Sequence, residues 1–409
     1  MDSGNTAWLI AATALVLFMT PGVAFFYGGL VKAKSVVSMM MMSFGAMGLI
    51  AVLWILYGAN MSAIDTEAGD LPFLAGNPFS DFALGGADSD TLLGATFGAT
   101  FAIITVALIS GAIADRAKFG SWMIFAGIWG TLVYFPVAAW VWGGGWILTL
   151  GEDLGLDVGV IDYAGGTAVH INAGAAALAL ALVLGKRVNF QKGAHKPHNV
   201  PLTLLGASIL WFGWFGFNAG AEGLGALGTE DTVVGLIVVN TLGATAAAIL
   251  GWAVVEKIKD GKATSVGAGS GAVAGLVAIT PACANLDPIW ALVLGVVAGA
   301  VCALAVELKW KLGFDDSLDV VGIHLVGGLI GTLYLGFFAQ GPGLFVGGDA
   351  SQLLVQFIAA VGVLVFSFVV AYIVGFAIEK TIGFRIKNED EIAGVDTVVH
   401  GEEGYAIAE

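Results

Sequence analysis

The stretch Asp162-Tyr163-Ala164-Gly165-Gly166-Thr167-Ala168-Val169-His170-Ile171-Asn172-Ala173-Gly174 leads into a long apolar run that carries one histidine. A second stretch, Asp319-Val320-Val321-Gly322-Ile323-His324-Leu325-Val326-Gly327-Gly328, repeats this arrangement near the other end of the chain. His170 and His324 are the only two of the five histidines that lie inside apolar segments. We therefore expect the two side chains to face each other in one pore.

The composition predicts a protein with many membrane spans. Of the 409 residues, 58% are hydrophobic and 11% are charged, whereas soluble domains average about 45–50% apolar and about 25% charged residues. Apolar runs of roughly 20 residues can cross a bilayer. Eleven such runs lie near 7–31, 36–60, 91–114, 119–147, 163–184, 200–222, 232–254, 264–283, 289–308, 320–339 and 351–379. The predicted fold class is an all-α polytopic membrane protein with 11 transmembrane helices.

Smaller features agree with a membrane protein. Glycines recur at four-residue spacing, as at Gly295 and Gly299, which suits close helix packing in lipid. Cys283 and Cys302 lie in apolar runs, so we expect them to pack and not to form a disulfide framework. No basic region precedes the first apolar run, so a cleavable signal peptide of the usual kind is not expected.

The basic residues predict the orientation of the chain. All 16 fall in alternate loops between the predicted spans: Lys32, Lys34, Arg116, Lys118, Lys186, Arg187, Lys192, Lys196, Lys257, Lys259, Lys262, Lys309, Lys311, Lys380, Arg385 and Lys387. By the positive-inside rule these loops are cytoplasmic, so the N-terminus is outside and the C-terminus is inside. The other loops are acidic. We expect a multi-pass protein of the cell (plasma) membrane.

An odd number of spans in each half allows an inverted repeat about a pseudo-twofold axis in the membrane plane. Repeat one would cover about 7–184 and repeat two about 200–339, each ending on a span with a histidine. An additional helix at about 351–379 completes a predicted transmembrane domain of residues 1–384. Residues 385–409 are predicted to form a cytoplasmic C-terminal tail.

Helical rise places both imidazoles near mid-membrane. His170 lies 8 residues after Asp162, about 12 Å along a helix. His324 lies 9 residues after Asp315, about 13.5 Å along a helix from the other side. Ionisable side chains at this depth indicate function, although one histidine alone could simply be hydrogen-bonded in a helix interface. Burial favours the neutral ring, which offers one donor and one acceptor nitrogen. Two such rings suit a small polar molecule or a proton relay better than a bare metal cation.

Aromatic residues and one acid accompany the predicted outer ends of the spans. Phe97 and Phe101 share a helix face, and Trp142 and Phe217 each lie near the end of a span. Most membrane aromatics form interfacial belts or packing contacts, whereas a desolvated cation–π cage would stabilise a cation by about 2 kcal/mol. Spacing alone does not select the rings of such a cage. Asp162 could bind a cation, but its position before a helix favours an N-cap.

Four motifs and the tail resemble the ammonium transporter (Amt/Mep/Rh) family. Residues 162–173, Asp-(x)₂-Gly-Gly-Thr-x-Val-His-Ile-Asn-Ala, look like the family signature. The others are Gly-Trp-Phe-Gly-Phe-Asn-Ala-Gly at 213–220, Phe-Tyr-Gly-Gly-Leu at 26–30 and Thr-Pro-Ala-Cys at 280–283. The tail Gly394-x-Asp396-(x)₃-His400-Gly401-Glu402 is similar to the Amt branch, in its prokaryotic form, and not to the Rh branch.

The resemblance implies a homotrimer in the lipid bilayer with one narrow pore in each subunit. His170 and His324 would be the twin pore histidines. Phe101 and Phe217 would form a stacked gate, and Trp142 and Phe101 would flank an outer recruitment site for NH₄⁺.

The resemblance also implies further site residues. Asp162 would be the acidic residue below the recruitment site. Relatives often carry a serine hydroxyl at this site, where the present chain has Ala221. Positions that match the apolar pore lining are Val23, Leu108, Leu210 and Val320.

The function implied is ammonium transport, without enzymatic activity, cofactor or metal. NH₄⁺ would be recruited outside and deprotonated near Phe101, and NH₃ would pass the histidines, with or without the proton. The alternatives are an ammonium sensor with little flux, a membrane redox protein with histidine-ligated haem, and a gas channel of the Rh type. A PII-type cytoplasmic signal protein is an expected partner, and nucleic acid is not. The expected partner-binding tail residues are Asp396, His400, Gly401 and Glu402.

Overall fold

The computed structural model describes residues 1–193 and 195–405, so the last four residues of the predicted tail lie outside the described part. Within that part, ten helices are long and apolar enough to cross a membrane. They are α1 Ser3–Leu30, α2 Ala33–Met61, α3 Ser89–Ile113, α4 Phe119–Trp142, α5 Gly166–Leu184, α6 Val200–Leu224, α7 Val234–Asp260, α9 Pro288–Leu312, α10 Val321–Phe338 and α11 Ser351–Thr381. The remaining apolar helix, α8 (Ser265–Ile279), is shorter. The all-helical, multi-span class is thus confirmed over residues 1–193 and 195–405, where no β-strand forms.

Helix α8 differs from the prediction of a full span over 264–283. It has 15 residues, about 22 Å of helix, which is less than the roughly 20 residues that cross the hydrocarbon. It stops because Pro281 has no backbone N–H to continue the helical hydrogen bonds. The chain therefore has eleven apolar helices in the predicted order across its described residues, but only ten of them have spanning length.

Two other predicted spans are also shorter in the structure. Helix α4 ends at Trp142 instead of 147, since Gly144 takes a φ of +90° and the chain turns into a short helix at Trp146–Asp153. Helix α5 begins at Gly166 instead of 163, because Gly165 takes a φ of +118°, a conformation that favours glycine.

The loops form two sets, because successive helices cross the bundle in alternate directions. We call the basic face the set that carries all 16 lysines and arginines, and the acidic face the other set. Loops of one set contact each other: Arg116 donates to Ser317 on the basic face (2.5 Å). On the acidic face, the amide N–H of Ile64 donates to the carbonyl of Gly143 (2.7 Å).

Glycines allow the helices to pack backbone against backbone. A Cβ added at Gly295 or Gly299 of α9 would lie 2.2 or 2.1 Å from the carbonyl oxygens of Ala244 and Ala248 in α7. Only glycine fits these positions without separating the two helices. The four-residue glycine spacing read from the sequence therefore corresponds to a close helix pair.

Helices α5 and α10 cross in opposite directions, with the first turn of each against the body of the other. A Cβ at Gly174 of α5 would lie 2.5 Å from the amide nitrogen of Leu325 in α10. A Cβ at Gly328 of α10 would lie 3.0 Å from the carbonyl oxygen of Gly166 and 3.1 Å from the Cβ of His170. Each glycine follows its helix's histidine by four residues. The crossing therefore brings both histidines to the same level of the bundle.

A buried ion network joins the loops of the basic face. Asp315 accepts from the backbone amide, Nε and Nη2 of Arg187 at 2.8, 2.9 and 2.9 Å, and Asp115 accepts from Nη1 at 2.9 Å. Arg116 donates to the backbone oxygen of Asp315 (2.5 Å). Each of these residues is at most 4% exposed. The network fixes the loops after α3, α5 and α9 relative to one another.

Replacing Asp315 with asparagine is expected to lower the free energy of unfolding by about 3–5 kcal/mol near neutral pH, because it removes one of the two carboxylates that balance the buried charges of Arg187 and Arg116. Burial by itself raises the pKa of Asp315, but hydrogen bonds from Arg187 and the charge of Arg116 outweigh burial and hold the pKa below its ordinary value. The ion pair therefore stabilises the fold above about pH 4 and this contribution is lost as the pH falls further. Thermal unfolding of the purified protein at neutral and acidic pH measures both effects.

Lys192→Gln is the matched control, because Lys192 forms an exposed ion pair with Glu307 (2.8 Å). An exposed ion pair stabilises the folded state by only about 0–1 kcal/mol. Equal unfolding midpoints for Asp315→Asn and Lys192→Gln would contradict a stabilising role of the buried network.

Candidate functional site

His170 and His324 meet in the interior of the bundle. Their Nδ1 atoms lie 3.1 Å apart, and the rings are nearly parallel, with an interplanar angle of 19°. The residues are 1% and 4% exposed. Because a neutral imidazole has one N–H, one ring donates to the other through Nδ1. The Nε2 atom of His170 is buried without a hydrogen-bond partner among the described residues, so it is free to bind a polar molecule.

The two histidines lie in π-helical turns at the starts of their helices, Gly166–Ile171 and Val321–Leu325. The amide of His170 accordingly donates to the carbonyl of Gly165, five residues earlier (3.0 Å). Such turns are rare and often mark functional positions. They widen the helix locally and turn both imidazoles toward each other.

The assumption that helices start at Asp162 and Asp315 is wrong, since α5 begins at Gly166 and α10 at Val321. The histidines nevertheless lie at equivalent depth for a different reason. From each histidine to the end of its helix, 14 residues remain, about 21 Å of helix. Because α5 and α10 run oppositely, these two lengths extend to opposite faces and leave the imidazole pair between them.

Asp162 caps the start of α5. Its Oδ1 accepts from the amides of Gly165 and Gly166 (2.8 and 2.6 Å), and its Oδ2 accepts from those of Thr167 and Ala168 (2.8 and 3.1 Å). All four bonds are to backbone groups, which otherwise lack partners at a helix start. A cation would have to compete with these donors, so the geometry fits the N-cap that the sequence favours.

Asp316 holds the equivalent position before α10, because it precedes His324 by eight residues as Asp162 precedes His170. Its Oδ2 accepts from the amide of Val321 (2.7 Å), whereas its Oδ1 is buried without a partner among the described residues. Burial raises the pKa of Asp316 to about 6. Asp316 was not among the predicted site residues, although the spacing that it shares with Asp162 indicates it.

A narrow enclosed cavity lies against the histidine pair. Its lining includes the predicted Val23, Leu108 and Leu210, and also Phe26, Tyr27, Ile104, Val169, Trp214, Phe217, Val273 and both histidines. The cavity volume open to the centre of a water-sized molecule is about 10 Å³, which is room for about one such molecule. Val320 is not in this lining; it is fully buried and packs beside Tyr27 against Gly111.

The cavity geometry does not fit haem. Two imidazoles that bind a haem iron from opposite sides each lie about 2 Å from the metal, so their nitrogens are about 4 Å apart. The Nδ1 atoms of this pair are only 3.1 Å apart. The space beside the rings is also far smaller than a porphyrin. The rings instead suit direct hydrogen bonding to each other.

Aromatic rings cover the cavity on the side of the acidic face. Phe101 and Phe217 stack with centroids 4.3 Å apart, and Phe217 lies 6.2 Å from the His170 ring. Trp142 meets Phe101 edge-on at 6.1 Å and is 37% exposed. The rings therefore form a series from the surface to the histidines in the order Trp142, Phe101, Phe217, His170.

One hydrogen bond holds the exposed end of this series. The indole N–H of Trp142 donates to the carbonyl of Asp162 (2.8 Å). Ala221, the predicted third member of the recruitment site, lies in a 3₁₀ turn at Gly220–Leu224 and is half-buried. Its methyl group has no hydrogen-bonding capacity.

Trp214 is a cavity residue that the sequence analysis did not select. Its ring stacks on His170 with a centroid distance of 5.5 Å, and its N–H donates to the hydroxyl of Thr280 (2.7 Å). It lies in the motif at 213–220, so the motif carried the signal. The His170 ring therefore contacts both the Trp214 ring and the His324 ring.

The predicted partner-binding tail residues take different positions. Asp396 is buried and accepts from the amides of Val37 and Ser38 (3.0 and 2.7 Å) near the start of α2, so in this conformation it cannot contact a partner. His400 lies edge-on to Phe119 (5.4 Å). Gly401 and Glu402 are exposed.

Comparison with known proteins gives one consistent family. The model of the "Ammonium Transporter Family" matches residues 7–405. The chain is 50% identical to an ammonium transporter of Mycobacterium tuberculosis over 450 aligned positions, which cover 100% of this chain and 91% of the relative.

Solved structures agree with this similarity. The fold is similar to Candida albicans Mep2, with a TM-score of 0.84 and 31% identity over 95% of this chain and 88% of the other. It is also similar to a sensor Amt protein, with a TM-score of 0.87 and 26% identity over 97% and 98% of the two chains.

Proposed function

The chain belongs to the ammonium transporter family, and from this premise we propose that it conducts ammonium as NH₃ past the twin histidines His170 and His324. NH₄⁺ is first bound between Trp142 and Phe101 near the acidic face. It loses a proton at the stacked rings of Phe101 and Phe217, and NH₃ enters the histidine-lined cavity. The proton either returns to the solvent or crosses by another route.

The observation that carries this proposal is the hydrogen-bonded pair of imidazoles in an apolar, enclosed passage. Moving an isolated ion into an apolar medium costs tens of kcal/mol in the idealised limit, so NH₄⁺ does not cross as an intact ion. NH₃ is neutral and can exchange hydrogen bonds with the free Nε2 of His170. K⁺ has no proton to give up and is therefore excluded.

The aromatic pair at the mouth can bind the cation before it loses its proton. Trp142 is partly exposed, and Phe101 is almost fully buried beneath it. A cation over such rings gains about 2 kcal/mol when desolvated. Asp162 supports this site by fixing the start of α5 and, through its carbonyl, the Trp142 ring.

We propose that the acidic face is outside the cell, that the N-terminus is outside and that the tail is cytoplasmic. The distribution of basic residues supports this orientation in the plasma membrane. The shared spacing of Asp162–His170–Gly174 and Asp316–His324–Gly328 supports an inverted repeat of about 7–184 and 200–339 with α11 added.

Membership of the ammonium transporter family also supports a proposal for the oligomeric state and for a partner protein. We propose a homotrimer on the basis of the family to which the chain belongs. Exposed Gly401 and Glu402 in the tail are available to a PII-type cytoplasmic protein, whereas Asp396 holds the tail on its own subunit.

Ammonium flux through purified protein in liposomes tests transport against sensing. A pH-sensitive dye inside the vesicles reports ammonium entry, and protein-free vesicles give the background. Saturable uptake well above this background is expected. Uptake equal to background, from protein that still binds ammonium, would favour the sensor function instead.

A further inference from the structure

Glu222 is a buried carboxylate without a cationic partner. It lies in the 3₁₀ turn after Ala219 and is 4% exposed. Its Oε1 accepts from the hydroxyl of Tyr163 (2.7 Å), and its Oε2 accepts from the hydroxyl of Thr232 (2.6 Å) and the amide of Val233 (3.1 Å). Every lysine and arginine belongs to the basic face, and among the described residues no ion pair includes Glu222.

The Glu222 carboxylate accepts hydrogen bonds from two hydroxyls and one backbone amide. They are neutral groups, so they do not cancel the charge. Buried charges are usually paired with an opposite charge, since leaving water is costly. Glu222 therefore leaves a net negative charge just beneath the surface of the acidic face.

Glu222 is linked to both rings of the aromatic site, Phe101 and Trp142, through neighbouring residues. On one side, Gly220 packs so closely on Phe97 that a Cβ would lie 2.5 Å from the ring, and Phe97 contacts Phe101 at 5.0 Å. On the other side, Tyr163 directly follows Asp162, whose carbonyl holds the Trp142 indole. The hydrogen bond between Glu222 and Tyr163 therefore links the Phe101 side of the site to the Trp142 side.

We propose that Glu222 strengthens the binding of a monovalent cation at the Trp142–Phe101 site through its uncompensated charge. This inference rests on the proposed function. The neighbouring Ala221 offers no polar group, so the rings attract a cation only through their faces. The Glu222 carboxylate adds long-range attraction in a poorly solvated region, where charges are weakly screened. The exposed acids Glu230 and Asp231 are screened by water and salt.

The test is Glu222→Gln in liposomes that take up ammonium. Glutamine has the same shape and keeps an oxygen that can accept from Tyr163, but it removes the charge. The ammonium concentration for half-maximal uptake is expected to rise about tenfold, the equivalent of about 1.4 kcal/mol, with the maximal rate unchanged. Glu222→Asp, which keeps the charge, is expected to remain close to the wild type.

Two controls separate charge from structure. Tyr163→Phe removes a hydrogen bond and keeps the carboxylate, and Glu230→Gln removes an exposed acid in the same loop. Both are expected to leave the half-saturating concentration nearly unchanged. An unchanged half-saturation in Glu222→Gln, or an equal rise in Tyr163→Phe, would overturn the inference and leave Glu222 as a structural link. Absence of ammonium uptake by the wild type would instead refute the proposed function, and the inference with it.

Discussion

Replacing His170 or His324 with alanine is expected to reduce the preference for ammonium over potassium by about two orders of magnitude, a loss of about 3 kcal/mol in discrimination. Each substitution removes one ring of a pair whose Nδ1 atoms lie 3.1 Å apart and opens a cavity that has room for about one water-sized molecule. Water in the enlarged space would solvate an ion that the wild type excludes. Potassium and ammonium uptake into liposomes, measured separately, give the ratio.

His195→Ala is the control for this prediction, because His195 lies in the loop between α5 and α6, away from the cavity. It should transport like the wild type. The variants at the histidine pair should still purify as folded protein, since the rings make few other polar contacts. Wild-type ammonium uptake combined with continued exclusion of potassium in both variants would refute a selective role for the pair.

Replacing Gly174 with valine is the second change with a large expected effect. The new Cβ would lie 2.5 Å from the amide nitrogen of Leu325, closer than backbone and side chain can approach. Helices α5 and α10 would have to separate, at a cost of about 3 kcal/mol, and the hydrogen bond between the imidazoles would lengthen. We expect loss of most ammonium uptake together with a lower unfolding midpoint.

Substitutions at two further glycines are expected to reduce uptake less than Gly174→Val does. Alanine at Gly328 meets its neighbours at 3.0–3.1 Å, so a smaller loss of uptake is expected there. Gly48 of α2 has no atom within 4 Å of an added Cβ, so Gly48→Val should transport normally. Normal uptake by Gly174→Val would contradict the idea that close contact of α5 and α10 sets the histidine geometry.

The sequence was sufficient to predict the family and the fold class. The apolar runs predicted a helical membrane protein, and the motif around His170 predicted an ammonium transporter, which the family match confirms. These features are local: they depend on run length and on the order of a few residues. The predicted helix ends were less accurate. Gly165 delays the start of α5 because its backbone takes a positive φ, and Pro281 ends α8 because it has no backbone N–H to donate.

Contacts between distant loops could not be predicted from the sequence. Arg187 and Asp315 are 128 residues apart, and nothing near either one indicates the other. Asp396 had the appearance of an exposed tail residue, but it caps a helix start 358 residues earlier. Glu222 lies two residues after the motif at 213–220, yet only the fold shows that it is buried without a balancing charge. Such interactions depend on how the helices pack.

The central claim is that two uncharged imidazoles meet inside a passage too apolar for an ion that keeps its proton. Stopped-flow uptake by liposomes that contain the wild-type protein, under equal gradients of ammonium or potassium, tests it most directly. The account predicts rapid, saturable uptake under the ammonium gradient and no uptake above that of protein-free liposomes under the potassium gradient. Comparable uptake of the two cations would contradict it.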